Sequence, residues 1–515
     1  MIIKKFKKME EIEMKKMLKV LSVICAASIM LFAFAGCGSN SAASGSTAST
    51  GTASTAPSTD AAASTQVSAE NAPTIVWWQI GTQPQNLAEG VAKINEYIAG
   101  KYGVKIDIKV AGWGDYDTKM NTIVNTGEAF DIMFVNNNNY NRFINLGALA
   151  DITDAVQKET PDLFKFIPEK VWNGTKLNGK IYSVPTYKDS SITQYFVWDD
   201  SIVKKYNIDY ANIKTLKELD KPFHAIKAGE GKSYYPLQMI KDDGFNGMFN
   251  KYDDLTLGLR PMGVKIDDTS RKVVSVLEQP DVMEDLKQLH QWYKDGIINP
   301  DAPTLGEAPK KLPFFSAQAF PGAEASWQVD KGVEKYVMAQ QFGPIFTTSS
   351  IQGSLNAISA NSKYKSEALK FIQAVNTDAQ LRNMLAYGIE GTDWQKVADN
   401  VIKRTSDTWT LPAYSQGTFF NMAAVDPNPA DQWDAVKKLN EEAAASVTLG
   451  YALDISNLST EVANCKAVWD KYKYELQTGA SDPVVMVPKI VKELKAAGMD
   501  KIMAEAQKQI TEYFK

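Results

Sequence analysis

The 515 residues carry 56 Lys and Arg against 60 Asp and Glu, a formal net charge of −4, and 44% are hydrophobic, so the chain can bury the cores of two or more domains. That balance, with no basic stripe interleaved with aromatics, gives no electrostatic case for nucleic acid. Only two histidines are present, which argues against a multi-His metal site or a His-based triad, although one His can still serve as a base.

In chain order, Lys15, Lys16 and Lys19 precede an apolar run from Val20 to Ala35, the layout of a secretory signal. The run is short for a span, which needs about 20 apolar residues. A permanent N-terminal anchor helix is the alternative. The seam "FAGC" resembles a bacterial lipobox, in which Cys37 receives the lipid and becomes the mature N-terminus; Phe34 stands where that pattern prefers Leu. Residues 1–36 are therefore expected to be a signal peptide, with the true start at Met14. Residues 37–72, rich in Ser, Ala, Thr and Gly, bury too little to offset the entropy of folding and read as a flexible tether. Cys25 leaves with the signal and Cys37 is lipidated, so Cys465 remains alone, without an internal disulfide. It sits in a helical pattern and reads as a small buried hydrophobe.

The globular part opens with strand, helix, strand, helix, strand: "TIVWWQI", "QNLAEGVAKINEYIAGKYG", "VKIDIKV", "YDTKMNTIVNTGE" and "FDIMFV". This order points to a parallel-type sheet with helices on its faces, where ligands bind at the carboxyl ends of strands. That rule selects Trp78 and Gln79 after the first strand, Trp113 within "GWGDY" after the second, and "NNNNY" after the third. One of Trp77 and Trp78 belongs to the core, because adjacent strand residues point to opposite faces. Trp113, flanked by glycines, has less reason to be core. Asn136 to Asn139 are open to two readings: Asx turns before a helix near Tyr140, or amides that recognise hydroxyls. The chain holds 11 Trp, 21 Tyr and 21 Phe, whose flat faces suit the apolar C–H face of a sugar.

Several motifs fail. "GEGKS" lacks the first glycine of a phosphate loop, Ile226 standing in its place, and reads as a lysine-bearing turn. No H-E-x-x-H, G-x-S-x-G, G-x-G-x-x-G or EF-hand loop occurs, so neither a cofactor nor a metal is expected.

The segments "GEAFDIMFVNNNNYNRFINLGALADIT", "NGKIYSVPTYKDSSITQYFVWDDSIVKKYNID", "AQAFPGAEASW" and "SLNAISANSKYKSEALKFIQAVNTDAQLRNMLAYGIEG" follow one another as in family 1 extracellular solute-binding proteins of ABC transporters, which the chain resembles. The stretch from "LGYALDISNLSTEV" onward is similar to a C-terminal domain of unknown function on Gram-positive lipoproteins of that family. The resemblance implies an α/β, two-lobe, periplasmic-binding-protein-like fold of type II, each lobe a sheet flanked by helices, joined by hinge crossings. It puts residues 73–187 and 322–360 in the N-lobe and 188–321 and 361–515 in the C-lobe. It also implies a carbohydrate, commonly an oligosaccharide, held in the cleft and delivered to a membrane permease by closure, with no catalysis and a monomeric chain held at the outer face of the membrane by its lipid. The crossing strand "VPTYKDSS" then carries Tyr187 and Asp189 into the cleft, the return crossing brings Glu324 and Trp327, and "YGIEGTDW" supplies Trp394 where the family has a His-Tyr pair. Two rivals stay open: an anchored glycan-cleaving enzyme with two carboxylates across the cleft, and a binder of peptides or ions.

Overall fold

The computed structural model describes residues 71–515. Cys37, the signal and the tether lie outside the described residues. The first sheet begins as the alternation requires. Strands β1 (Thr74–Ile80), β2 (Lys105–Ala111) and β3 (Ile132–Val135) are parallel, with β1 between the other two. Two later segments complete it: Leu355–Ile358 runs antiparallel beside β3, and Ser183–Pro185 lies at the edge. Both faces are covered, so five of the seven residues of β1 are buried, and Ile75 to Trp78 run on as apolar residues without alternation. Trp77 packs edge-on against Phe371 at 5.5 Å, and its indole N–H donates to Asn356 at 2.9 Å. Helix Leu87–Tyr102 lies against the sheet, and at Gly90 a Cβ would stand 2.2 Å from the Trp409 ring, so only glycine admits that tryptophan.

The second sheet has the order Phe314–Gln318, Ile192–Asp199, Tyr336–Phe346, Ala444–Ala445. One core joins its strands to the helices around them and to the C-terminal helices: Trp198, Phe223, Trp292 and Phe314 share a cluster with Trp469, Leu494 and Ile510. Cys465 belongs to it as a small hydrophobe, with burial pushing its thiol up to about 11. His224 is a surface residue between Asp220 and Asp295, and His290 packs against the Gly479 carbonyl.

The lobe boundaries differ from those expected. Tyr336–Phe346 pairs with Ile192–Asp199, so residues 322–346 belong with the second lobe, not the first. Helices Lys365–Thr377 and Ala379–Tyr387 bury Phe371, Ile372, Leu381 and Leu385 in the same core as Trp77 and Ile94. The chain after residue 361 thus stays with the first lobe and returns to the second near Ala443, which is itself in the first core and precedes the paired Ala444–Ala445.

Candidate functional site

Three segments connect the sheets: 186–191, 347–354 and 440–446. Hydrogen bonds clip them together. Asn440 donates to the Lys188 carbonyl and accepts the Ser191 N–H at 3.2 Å. The Ser446 N–H donates to the Phe346 carbonyl at 2.8 Å, and Gly450 donates to the Thr348 hydroxyl at 3.0 Å. Asp253, buried beside this junction, accepts from the hydroxyls of Thr448 at 2.7 Å and Ser446 at 3.3 Å. Burial, then the neighbouring Asp254, raises its pKa above the usual carboxylate range.

Aromatic rings stand on both sides of these crossings. At the carboxyl end of β2, Trp113 is 54% exposed and stacks on Tyr414, with centroids 6.0 Å apart at 27°. Tyr414 in turn meets Phe134 edge-on at 6.2 Å. The loop beneath is fixed by Arg382, a fully buried guanidinium that donates to Thr418 and Ala413 carbonyls and to the Gln416 amide oxygen at 2.6–2.7 Å. Burial brings its pKa down to about 10. Between the lobes, Phe320 of the second and Phe419 of the first flank Trp433 of the first, at 5.9 Å and 4.9 Å. The Lys188 ammonium lies 5.9 Å from the Phe419 ring centre and pairs with Asp189 at 2.7 Å. These rings, with one ion pair on the first crossing, offer flat apolar faces next to charged hydrogen-bonding groups, the chemistry that holds a polyhydroxylated ligand.

The structure separates the residues singled out in the sequence. Trp113, Asn136, Asp189, Glu324 and Trp327 retain exposed area. Glu324 accepts the Gly322 N–H at 3.1 Å. Trp327 lies on helix Ala323–Lys331 of the second lobe, edge-on to Phe315 at 5.0 Å, rather than on a return crossing. The others are internal. Trp78 packs under Lys119 in a satellite core. Gln79 accepts the Ser415 hydroxyl at 2.6 Å. Asn139 accepts the Asn136 N–H at 3.0 Å, while the half-buried Asn136 accepts the Asn138 N–H at 2.9 Å in an Asx turn. Tyr140 donates to the Thr175 carbonyl, fully buried. Tyr187 is 1% exposed, and burial, then Glu441, pushes it up to about 12. Trp394 is buried, with its indole N–H on the Gly388 carbonyl at 3.1 Å. Tyr414, Phe320, Phe419 and Trp433 were not foreseen, since none sits at the end of a recognisable strand.

A second feature lies between the lobes on the side of the C-terminal helices. It is a groove of about 1290 Å³, walled by Asn137 to Leu146 of the first lobe and by Asn250 to Arg260 and Gly450 to Lys466 of the second. Thr347 and Ser349 of the middle crossing also line it. No cluster of three or more metal-ligating side chains occurs among the described residues, and no helix among them is long and apolar enough to cross a membrane.

Two α/β lobes, three clipped crossings and ring-bearing surfaces beside them define a type II solute-binding protein. The chain belongs to the bacterial extracellular solute-binding protein family, whose model matches residues 84–382, and residues 447–515 match a domain of unknown function. A carbohydrate ABC transporter substrate-binding protein of Streptococcus pneumoniae is 28% identical over 466 residues, 86% of this chain and 91% of that protein. Among solved structures, the N-glycan transport solute-binding protein of the same species superposes with a TM-score of 0.78 at 28% identity, over 86% of this chain and 99% of that one. Its complexes with Man1GlcNAc and Man5GlcNAc superpose less well, at 0.67 and 0.64. An extracellular solute-binding protein of Bifidobacterium longum subsp. infantis shares the fold at 16% identity and a TM-score of 0.60, over 87% of this chain and 99% of that one.

Proposed function

We propose that this protein captures an oligosaccharide between its lobes and presents it, by hinge closure, to the membrane permease of an ABC importer. The observation that carries the reading is Trp113. Eight of the eleven tryptophans are buried, yet this one stands more than half exposed on a second ring. An exposed aromatic pair costs hydration unless a ligand covers it, and a sugar's C–H face fits that shape. The better match to the relative described without a ligand than to its two glycan complexes supports reading the present conformation as open. A ligand that touches both lobes then stabilises the closed form, which a permease can recognise.

The test is calorimetry and small-angle scattering of the mature chain with Man5GlcNAc and other neutral oligosaccharides. Saturable binding with a smaller radius of gyration is expected; absence of binding across the set overturns the reading. The same mixtures are expected to develop no new reducing ends, since capture leaves the glycan intact. Their appearance would favour the glycan-cleaving alternative.

Anchoring completes the proposal. Cys37 at "FAGC", followed by a long polar tract, supports lipid anchoring of the chain on the outer face of the membrane. Cys37→Ser is expected to leave the protein uncleaved by the lipoprotein peptidase or shed into the medium, read by membrane fractionation. A fully mature, lipidated mutant product would remove Cys37 as the lipid site.

A further inference from the structure

We infer that the C-terminal helical domain is itself a wall of the binding site: the groove it forms with the first lobe holds the far end of a neutral oligosaccharide, with the Tyr513 ring as its stacking platform. This rests on the oligosaccharide reading above and extends it to residues 447–515, the domain whose function is unassigned.

Size comes first. At about 1290 Å³ the groove exceeds the roughly 300–1,000 Å³ of a pocket for one small molecule. Its apolar content is concentrated. Of the eight large hydrophobic side chains exposed among the described residues, three line it: Leu146, Ile455 and Tyr513. Tyr513 is 42% exposed but not free to rotate. Its hydroxyl donates to the Gly450 carbonyl at 2.9 Å, and Tyr451 and Phe514 pack against its ring at 5.6 Å and 4.8 Å. A ring held at both ends and open on one side is a preorganised platform.

The facing wall is polar in the way a hydroxyl ligand needs. Asn141 and Asn145 stand one helical turn apart, and Asn138 precedes them. The amide oxygens of Asn137 and Asn141 are buried without a hydrogen-bond partner among the described residues, so this wall carries unused acceptor capacity. Charge identifies the ligand class. Three cations, Arg142, Arg260 and Lys466, face four carboxylates, Asp253, Asp254, Asp454 and Glu512. Neither sign dominates, which suits uncharged sugars and disfavours a polyanion.

The experiment compares Man1GlcNAc with Man5GlcNAc by calorimetry on the full mature chain. Tyr513→Ala and, on the opposite wall, Asn145→Ala are each expected to weaken Man5GlcNAc about tenfold while leaving Man1GlcNAc unchanged. Tyr513→Phe keeps the ring and should keep the affinity. Wild-type binding of both glycans with every variant unaltered overturns the role of this groove. Equal losses for both glycans overturn its assignment to the far end. A wild-type chain that binds neither glycan removes the underlying reading instead. Tighter binding of an oligouronate than of Man5GlcNAc at low salt would refute the neutral class. Should Tyr513→Ala fail to fold, Asn145→Ala, at an exposed position, decides alone.

Discussion

Trp78 and Trp113 satisfy the same local rule, an aromatic ring toward the carboxyl end of a strand in the first sheet, and the structure gives them opposite fates. Trp78 is 9% exposed and Trp113 is 54% exposed. The difference is tertiary: Tyr116 and Met120 share a core with Trp78, while a Cβ at Gly112 or Gly114 would meet nothing within 4 Å, so the turn that carries Trp113 stands in open space. Trp78→Ala should therefore cost about 3–5 kcal/mol of folding stability. Trp113→Ala should leave the melting temperature nearly unchanged and cost about 1–3 kcal/mol of glycan affinity, the value of burying a large apolar side chain. Melting curves and calorimetry on both variants separate the roles; a stability loss at Trp113 with intact affinity would assign it to packing. The glycines made Trp113 legible in the sequence. Tyr187 and Trp394 were not legible as core, because what buries them, Phe166 and Phe420 for one and the turn around Asp393 for the other, comes from other parts of the chain or from local hydrogen bonding.

Among the elements, β1 to β3 and their two helices were readable because period and cap signals are local. The first crossing was also readable, since Pro185 ends a buried strand and polar residues lead to the next. The partner of Tyr336–Phe346 was not, because alternation specifies a strand but not the strand it pairs with. Helix Pro280–Lys294 shows how an element carries a cost that pattern alone hides. Asp285 lies half-buried on it, and burial pushes its pKa up to about 6, with Asp281 and Glu284 adding to the rise and Lys251 opposing it. A raised folded-state carboxyl pKa means that the native state holds the proton longer than the unfolded chain does. Stability from this group consequently falls as pH rises from about 4 through about 6 and stays reduced above. Asp285→Asn should raise the melting temperature at pH 7.5 by about 2 °C, after allowance for solvent screening, with the gain fading toward pH 4. A gain independent of pH would assign the effect to packing.

At the scale of the molecule, the C-terminal helices share one core with the second sheet, so the second lobe and the domain of unknown function move as one body. Motion between lobes must then concentrate in the three crossings, and Asn440 is where two of them meet. It is 3% exposed, and its amide bonds the first crossing from both ends, to Lys188 and Ser191. Neither bond reaches the exposed rings, so removing them should leave the ligand contacts intact while loosening how the crossings turn together. Asn440→Ala should cost about 1–2 kcal/mol of stability, the worth of two buried hydrogen bonds. It should also weaken glycan affinity by about three- to tenfold, because a free protein with more open conformers gives up more conformational entropy on closing. Compaction on saturation, followed by small-angle scattering, should be retained, since the closed state itself is held by the ligand. Unchanged affinity alongside the stability loss would mean that the clip is equally rigid in both states and that closure pivots elsewhere.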